Sequence, residues 1–201
     1  MRKGRGINWP GPRYDREAPE NSLSDPTRFD ALVLPHLDAA YNLARWLTRD
    51  THDAEDVVQD ACIRALKYIG SLEGGDARGW FLKIVRNAFY DWLGRNRPAE
   101  VVNDENEAVD AAVDPLAISP EQAAMRKAEL RMLADAVEEL PLQYREVLIL
   151  RELEELSYKE IARVADIPVG TVMSRLARAR GLLQRSPLLY AVNGQVTRSA
   201  R

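Results

Sequence analysis

Thr171, Ser174, Arg175 and Arg178 fall on one face of the stretch Val169 to Arg185, which contains four Arg and no Asp or Glu. Short hydroxyls and guanidinium groups at this spacing can reach base edges in a duplex groove, and Arg also binds phosphate. The chemistry on offer is recognition of nucleic acid. Covalent chemistry has little to stand on. His36 and His52, the only histidines, are 16 residues apart on different expected helices and match no metal-binding spacing. The single cysteine, Cys62, lies ten residues from His52 on or beside one helix, where the two would not meet as nucleophile and base. One cysteine also excludes an internal disulfide and a cysteine-based zinc cluster, and the chain has no glycine-rich phosphate loop. No catalytic residue, metal or cofactor is expected.

The elements that must hold the Arg-bearing face are legible just before it. Ser157 and Glu160 form a capping box: the Ser hydroxyl accepts from the backbone at Glu160, whose carboxylate reaches back to Ser157. That specifies a helix through Ile161, Ala162 and Ala165. Asp166 to Pro168 break it, since Asp tolerates unusual turn backbone and Pro168 suits the start of a helix. A second helix then begins near Val169. Val172, Leu176, Ala179 and Leu183, spaced by four, three and four, give it a buried stripe opposite Thr171, Ser174, Arg175 and Arg178. A basic helix face alone is more often merely solvated; the capping box and the turn shift the balance to a helix-turn-helix that binds DNA.

Net charge is only −3, from 28 basic and 31 acidic residues, which by itself argues against a nucleic-acid partner. The charge is segregated, however, and local charge decides what a surface attracts. Arg78 to Arg97 has five basic residues and one acid; Asp50 to Asp60 has five acids and no Lys or Arg; Pro98 to Gln122 has seven acids and none. No apolar run approaches the roughly 18 to 20 residues a membrane span needs, and the start, MRKGRG, lacks the apolar core of a signal peptide. A cytoplasmic protein with no membrane partner is expected.

The chain of 201 residues reads as all-α: two small helical domains joined by a flexible acidic linker, the second containing the helix-turn-helix. Residues 1–25 show no sustained period and are expected to be a disordered extension. Residues 26–97 make the first domain. Its expected helices are Phe29 to Arg49, with Pro35 near the beginning; Asp53 to Ile69, with Ala54, Val58, Ala61 and Ala65 on the core side; and Ala77 to Asn96, with Phe81, Ile84, Val85, Ala88 and Trp92 inward. On the other faces stand Asp56, Gln59, Asp60 and Ile63 of the second helix, and Lys83, Arg86, Asn87, Tyr90 and Arg97 of the third. Trp80 and Trp92 favour core positions. Residues 98–118 are the acidic linker. Residues 119–186 form the second domain, opened by Ser119-Pro120 and carried by Leu130, Leu133, Ala134 and Val137 to Leu140. Pro141 starts the next helix, with Tyr144, Val147 and Leu148 inward. Residues 187–201 are expected to be a flexible tail.

DAEDVVQDACIRAL from Asp53 and LPLQYREVLILRELEELSYKEIARVADIPVGTVMSRLARARGLL from Leu140, with GWFLKIVRNAFYDWLGRNRP between them, resemble bacterial sigma factors of the extracytoplasmic-function group, over about Phe29 to Arg185. The resemblance implies a promoter-specificity subunit. It would bind core RNA polymerase, both the beta-prime clamp helices and the beta subunit, and direct initiation at promoter DNA. Asp56, Gln59, Asp60 and Ile63 match the face that docks on the clamp helices. The loop Ser71 to Asp76 and the outer face of the third helix, with Lys83, Arg86, Asn87 and Tyr90, match the part that recognises and opens the minus-ten element, where aromatic faces and cations hold unstacked bases. Thr171, Met173, Ser174, Arg175, Ala177 and Arg178 match positions that address the minus-thirty-five element. Many relatives carry Arg in place of Met173 and a larger side chain in place of Ala177, so individual base contacts do not transfer. An anti-sigma protein is a partner that such proteins often have.

Two other readings stay open on the residues alone. A stand-alone regulator can end in the same helix-turn-helix, though it would carry a ligand-binding or phosphoacceptor domain in front. A decoy that binds an anti-sigma protein and no promoter would not need the basic third helix or the Arg-bearing recognition helix.

Overall fold

The computed structural model describes residues 26–72, 75–96 and 119–188. Those residues are helical, with no strand among them. The acidic linker, the N-terminal extension, Arg97 and most of the C-terminal tail lie outside the described residues.

The first expected helix is two. Helix α1, Pro26–Leu32, ends in a short 3-10 turn over Leu34–His36, and α2 runs over Leu37–Thr48. Pro35 is the cause: it has no amide hydrogen to donate and restricts Leu34, so it occupies the turn and not the helix. Helix α3, Thr51–Tyr68, is capped by the Asp50 carboxylate accepting from the Asp53 amide. Its core side is Ala54, Val57, Ala61 and Ala65, with Val58 half-buried. Helix α4, Ala77–Arg95, is capped in the same way by Asp76, which accepts from the Gly79 amide. A methyl on Gly79 would stand 2.6 Å from an Asp76 carboxylate oxygen, so this cap requires glycine for space.

In the second domain α5 covers Pro120–Glu138, α6 Leu142–Glu152, α7 Tyr158–Ala165 and α8 Val169–Leu183. The buried stripe of α5 is confined to its last turns, where Ala136 and Val137 enter the core followed by Leu140. Leu130 and Leu133, expected inside, are about two-fifths exposed. They precede the turns of α5 that reach the α6–α8 core. Both halves of the Ser157–Glu160 capping box are formed, and Asp166 closes α7 in the left-handed region at φ 54°, a conformation short polar side chains tolerate best.

Helices α2, α3 and α4 pack on one another, as do α6, α7 and α8, and each domain has its apolar centre. The two centres are continuous: α6 lies against α2 and α7 against α4. Helix α4 is therefore buried nearly all round, with Phe81, Leu82, Val85, Ala88 and Phe89 at 0–1% exposure.

Candidate nucleic-acid and polymerase interfaces

On α8 the expected division of faces holds except at Leu183 and Arg175, both of intermediate exposure. Val172, Leu176 and Ala179 are buried and fix the helix to α6 and α7, while Met173, Ser174, Ala177 and Arg178 are exposed and Thr171 is half-exposed. The helix starts behind Pro168, whose carbonyl accepts from the Thr171 and Val172 amides at 2.9 and 3.1 Å. Local contacts hold the polar side chains in place. The Ser174 hydroxyl donates to the Thr171 carbonyl at 3.0 Å, and Arg178 donates to the Tyr144 hydroxyl at 3.3 Å. That contact lowers the pKa of Tyr144 and raises that of Arg178. Arg180, further along, is paired with Glu152 at 2.7 Å. Arg175 is only partly exposed, and its Nη1 lies 3.9 Å from Glu146 of α6.

The face of α4 departs from expectation. Of Lys83, Arg86, Asn87 and Tyr90, expected on the outer side, Arg86 and Asn87 are 4% and 5% exposed and Tyr90 is half-buried. The second domain reaches Arg86 and Tyr90 through Glu146. Arg86 donates through Nε to Glu146, and the Tyr90 hydroxyl donates to the other oxygen of the same carboxylate at 3.4 Å. The Arg86 guanidinium also stacks over the Tyr90 ring, 4.6 Å from its centre. Burial, then the Glu146 charge, pushes the Tyr90 phenol up to about 12. Lys83 stays partly open, 3.9 Å from Asp166 in the turn of the helix-turn-helix. Trp80 is half-buried and lines a cleft of about 1160 Å³ between the start of α4 and that turn, with Gly79, Lys83, Arg163 and Ile167. Trp92 is in the core at 9% exposure.

The α3 ridge has Asp56 and Gln59 exposed and Ile63 at 64% exposure, an acidic and apolar surface open to solvent. Asp60 belongs to it only in part. It accepts two hydrogen bonds from Arg64, at 3.2 and 2.7 Å, and lies 3.6 Å from Arg95; Arg64 in turn bridges to Asp91 at 2.5 Å. Asp60 and Asp91 thus tie α3 to α4. Cys62, one position before Ile63, is half-buried and burial raises its pKa, the reverse of an activated thiolate.

Two family models match the chain: Sigma-70 region 2 over residues 32–98 and Sigma-70 region 4 over residues 130–183. The chain is 30% identical over 162 residues to the ECF RNA polymerase sigma factor SigM of Bacillus subtilis, covering 80% of this chain and 94% of that protein. It belongs to the ECF sigma factors of the sigma-70 family. It is also 35% identical over 159 residues to the ECF RNA polymerase sigma factor SigE of Mycolicibacterium smegmatis, covering 78% of this chain and 60% of that longer protein. Among solved structures, the sigma factor RpoE in complex with the anti-sigma factor NepR from Bartonella quintana superposes with a TM-score of 0.63 at 29% identity, over 81% of this chain and 96% of that one.

In this sigma factor the region 2 match coincides with α2 to α4 and the region 4 match runs from the second half of α5 through α8. The residues that periodicity overlooked are those joining the two: Glu146, Arg145 and Glu154 on the second domain, Arg78 and Asp76 on the first. One signal for them was present. Leu82 and Phe89 extend the apolar character of α4 beyond its assigned stripe, and a helix apolar on several faces must be covered on several faces.

Proposed function

We propose that this ECF sigma factor binds core RNA polymerase through the α3 ridge and directs initiation by reading a promoter at two points. In this reading Asp56, Gln59 and Ile63, with Asp60 at their edge, dock on the beta-prime clamp helices, where an acidic and partly apolar surface complements a basic coiled coil. Lys83, Arg86, Asn87 and Tyr90 recognise and hold the opened minus-ten region, with Arg and Tyr offering a guanidinium plane and a ring to unstacked bases. Thr171, Met173, Ser174, Arg175, Ala177 and Arg178 address the minus-thirty-five element in the major groove. The beta subunit is the further polymerase contact, the acidic segment 98–118 joins the two reading domains, and an anti-sigma protein is a fitting partner. The protein acts by binding, in the cytoplasm, and its own residues break no bond.

The single observation that supports this best is the order of three elements in one chain. An exposed acid-and-apolar ridge on α3 is followed by an Arg- and Tyr-bearing α4 and then by a helix-turn-helix whose outward face carries Arg and no acid. A stand-alone regulator has no use for the first of them. Permanganate footprinting of a promoter bound by core polymerase plus this protein tests the reading. Reactive thymines at the minus-ten region are expected with the wild type, and their loss is expected in the Lys83→Ala, Asn87→Ala double variant despite intact polymerase binding. Footprints identical in the two would remove the melting role from this face.

A further inference from the structure

We propose that one flank of the recognition helix α8 reads thymine methyl groups, with Met173 as the residue that sets base preference there. The proposal rests on the minus-thirty-five reading given above and names the bases that this surface takes. Val169, Met173 and Ala177 are spaced by four residues and so form one row along α8. Val169, which also borders the cleft beside α4, and Met173 are 39% and 54% exposed, and Ala177 is exposed as well. The opposite flank of the outward surface carries Thr171, Arg175 and Arg178. Between the two flanks run Gly170, Ser174 and Gly181, none larger than serine. Single apolar side chains on a surface need no explanation. A row of three beside the groups that reach DNA does, because it keeps apolar surface in water.

The polar side chains of the same surface are already engaged. Ser174 donates to the Thr171 carbonyl at 3.0 Å, Arg178 donates to the Tyr144 hydroxyl at 3.3 Å, and Arg175 lies 3.9 Å from Glu146. A guanidinium held in this way has donors left for a phosphate or a base, whereas the Ser174 hydroxyl has used its one donor. Met173 and Ala177 present no donor to a base edge, so the feature of the major groove that they can distinguish is apolar. There is one such feature, the C5-methyl of thymine. An unbranched thioether suits it, because its free rotation lets it follow a methyl whose place shifts with groove shape. The line of small residues beside the row lets the helix backbone come close enough for a side chain as short as that of Ala177 to touch. At Gly170 the space is open, with nothing within 4 Å of where a Cβ would stand. An arginine side chain in place of Met173 would instead reach O6 and N7 of guanine. This chain is therefore expected to favour A·T at a position where such a variant favours G·C.

The test uses core polymerase loaded with the full chain, and a promoter fragment that this sigma factor transcribes, randomised over its upstream element. Selection of bound fragments is expected to return A·T pairs at one or more fixed positions. Deoxyuridine in place of thymidine at those positions removes only the methyl groups. It should weaken competition for the loaded polymerase roughly fourfold per contacted methyl, the worth of one buried methyl group. Met173→Ala should abolish the deoxyuridine effect at its own position and keep it at any other. Met173→Arg should move the selected base at that same position to G. Thermal melts of both variants should match the wild type, since Met173 is more than half exposed. Fixed positions that are all G·C, fixed A·T pairs indifferent to deoxyuridine, or a Met173→Ala chain as sensitive as the wild type at every position would overturn the methyl reading while leaving the minus-thirty-five assignment in place. A pool that returns no fixed upstream position would remove that assignment, and the proposal with it.

Discussion

Arg86 of α4 and Glu146 of α6, 60 residues apart in sequence, form an ion pair whose side chains are 4% and 0% exposed. A pair so deeply buried makes the relation of the two domains a property of the fold in this state. The same interface contains a second cation whose role is structural. Arg145, next in sequence to Glu146, donates to the carbonyls of Glu138 at 2.6 Å and Leu140 at 3.3 Å in its own domain and to that of Leu47 across the interface. Burial, with a smaller effect from Arg49, lowers its pKa to about 10.

Replacing Arg145 by Ala should therefore cost about 2 to 4 kcal/mol of folding stability, because the buried carbonyls of Leu140 and Leu47 lose a donor. Arg145→Lys should recover little of it, since one ammonium cannot span the carbonyls that the guanidinium fork reaches. Urea denaturation followed by circular dichroism measures both. A loss below about 0.5 kcal/mol, the usual range for surface substitutions, would show that these carbonyls find other partners.

Glu155 sits at φ 52° in the connection between α6 and α7, a conformation in which its side chain gains nothing and glycine has no penalty. Glu155→Gly should stabilise the protein by up to about 1 kcal/mol, the left-handed cost being larger than the added freedom of the unfolded chain. The expected sign is upward in a thermal melt. A lower melting temperature would mean that the Glu side chain contributes a contact worth more than the strain.

The capping box ties one pKa to one helix. The hydrogen bonds that Ser157 makes to the Glu160 carboxylate hold it below the ordinary glutamate value. A folded-state pKa that is lowered gives stability present above the unfolded value and lost as the pH falls through the folded one. Ser157→Ala should return Glu160 toward its ordinary titration and cost about 1 kcal/mol near neutral pH, with the difference from wild type shrinking in acid. Carboxyl chemical shifts against pH, with and without the substitution, measure it. A penalty independent of pH would place the loss in the hydroxyl alone.

On the α3 ridge, Asp56 and Asp60 should separate experimentally. Asp56→Arg is expected to weaken polymerase binding with little change in thermal stability, because Asp56 is exposed. Asp60→Arg should do both, because Asp60 also holds Arg64 on the α3–α4 face. Neither should alter the DNA affinity of the second domain. Polymerase affinity that Asp56→Arg leaves untouched would remove the ridge from the interface.

Much of this was legible in the residues. Stripes such as Val172, Leu176 and Ala179, and the local rules for Ser157, Asp166 and Pro168, fixed the elements because they depend on neighbours within a turn or two. The single helix expected over Phe29 to Arg49 is two, because Pro35 interrupts it, and the apolar spacing on either side of a proline does not show that the helix stops there and resumes. Leu130 and Leu133 are apolar at helical spacing yet exposed, because spacing says which residues share a face and not how far along the helix the core extends. The burial of Arg86 and Asn87 was out of reach for a different reason. Arg86 is covered by Glu146 from across a linker, and such pairing leaves no period in the chain.

The most direct measurement is run-off transcription from a pool of promoter fragments with core polymerase, with and without this sigma factor, followed by sequencing of the transcripts. The expected result is a set of new transcripts whose templates share a two-part upstream sequence. Arg175→Ala and Arg178→Ala should reduce those that depend on the distal part, by about 1 to 3 kcal/mol of binding where the lost contact is to a base. Tight polymerase binding without any new transcript would contradict promoter recognition by this chain.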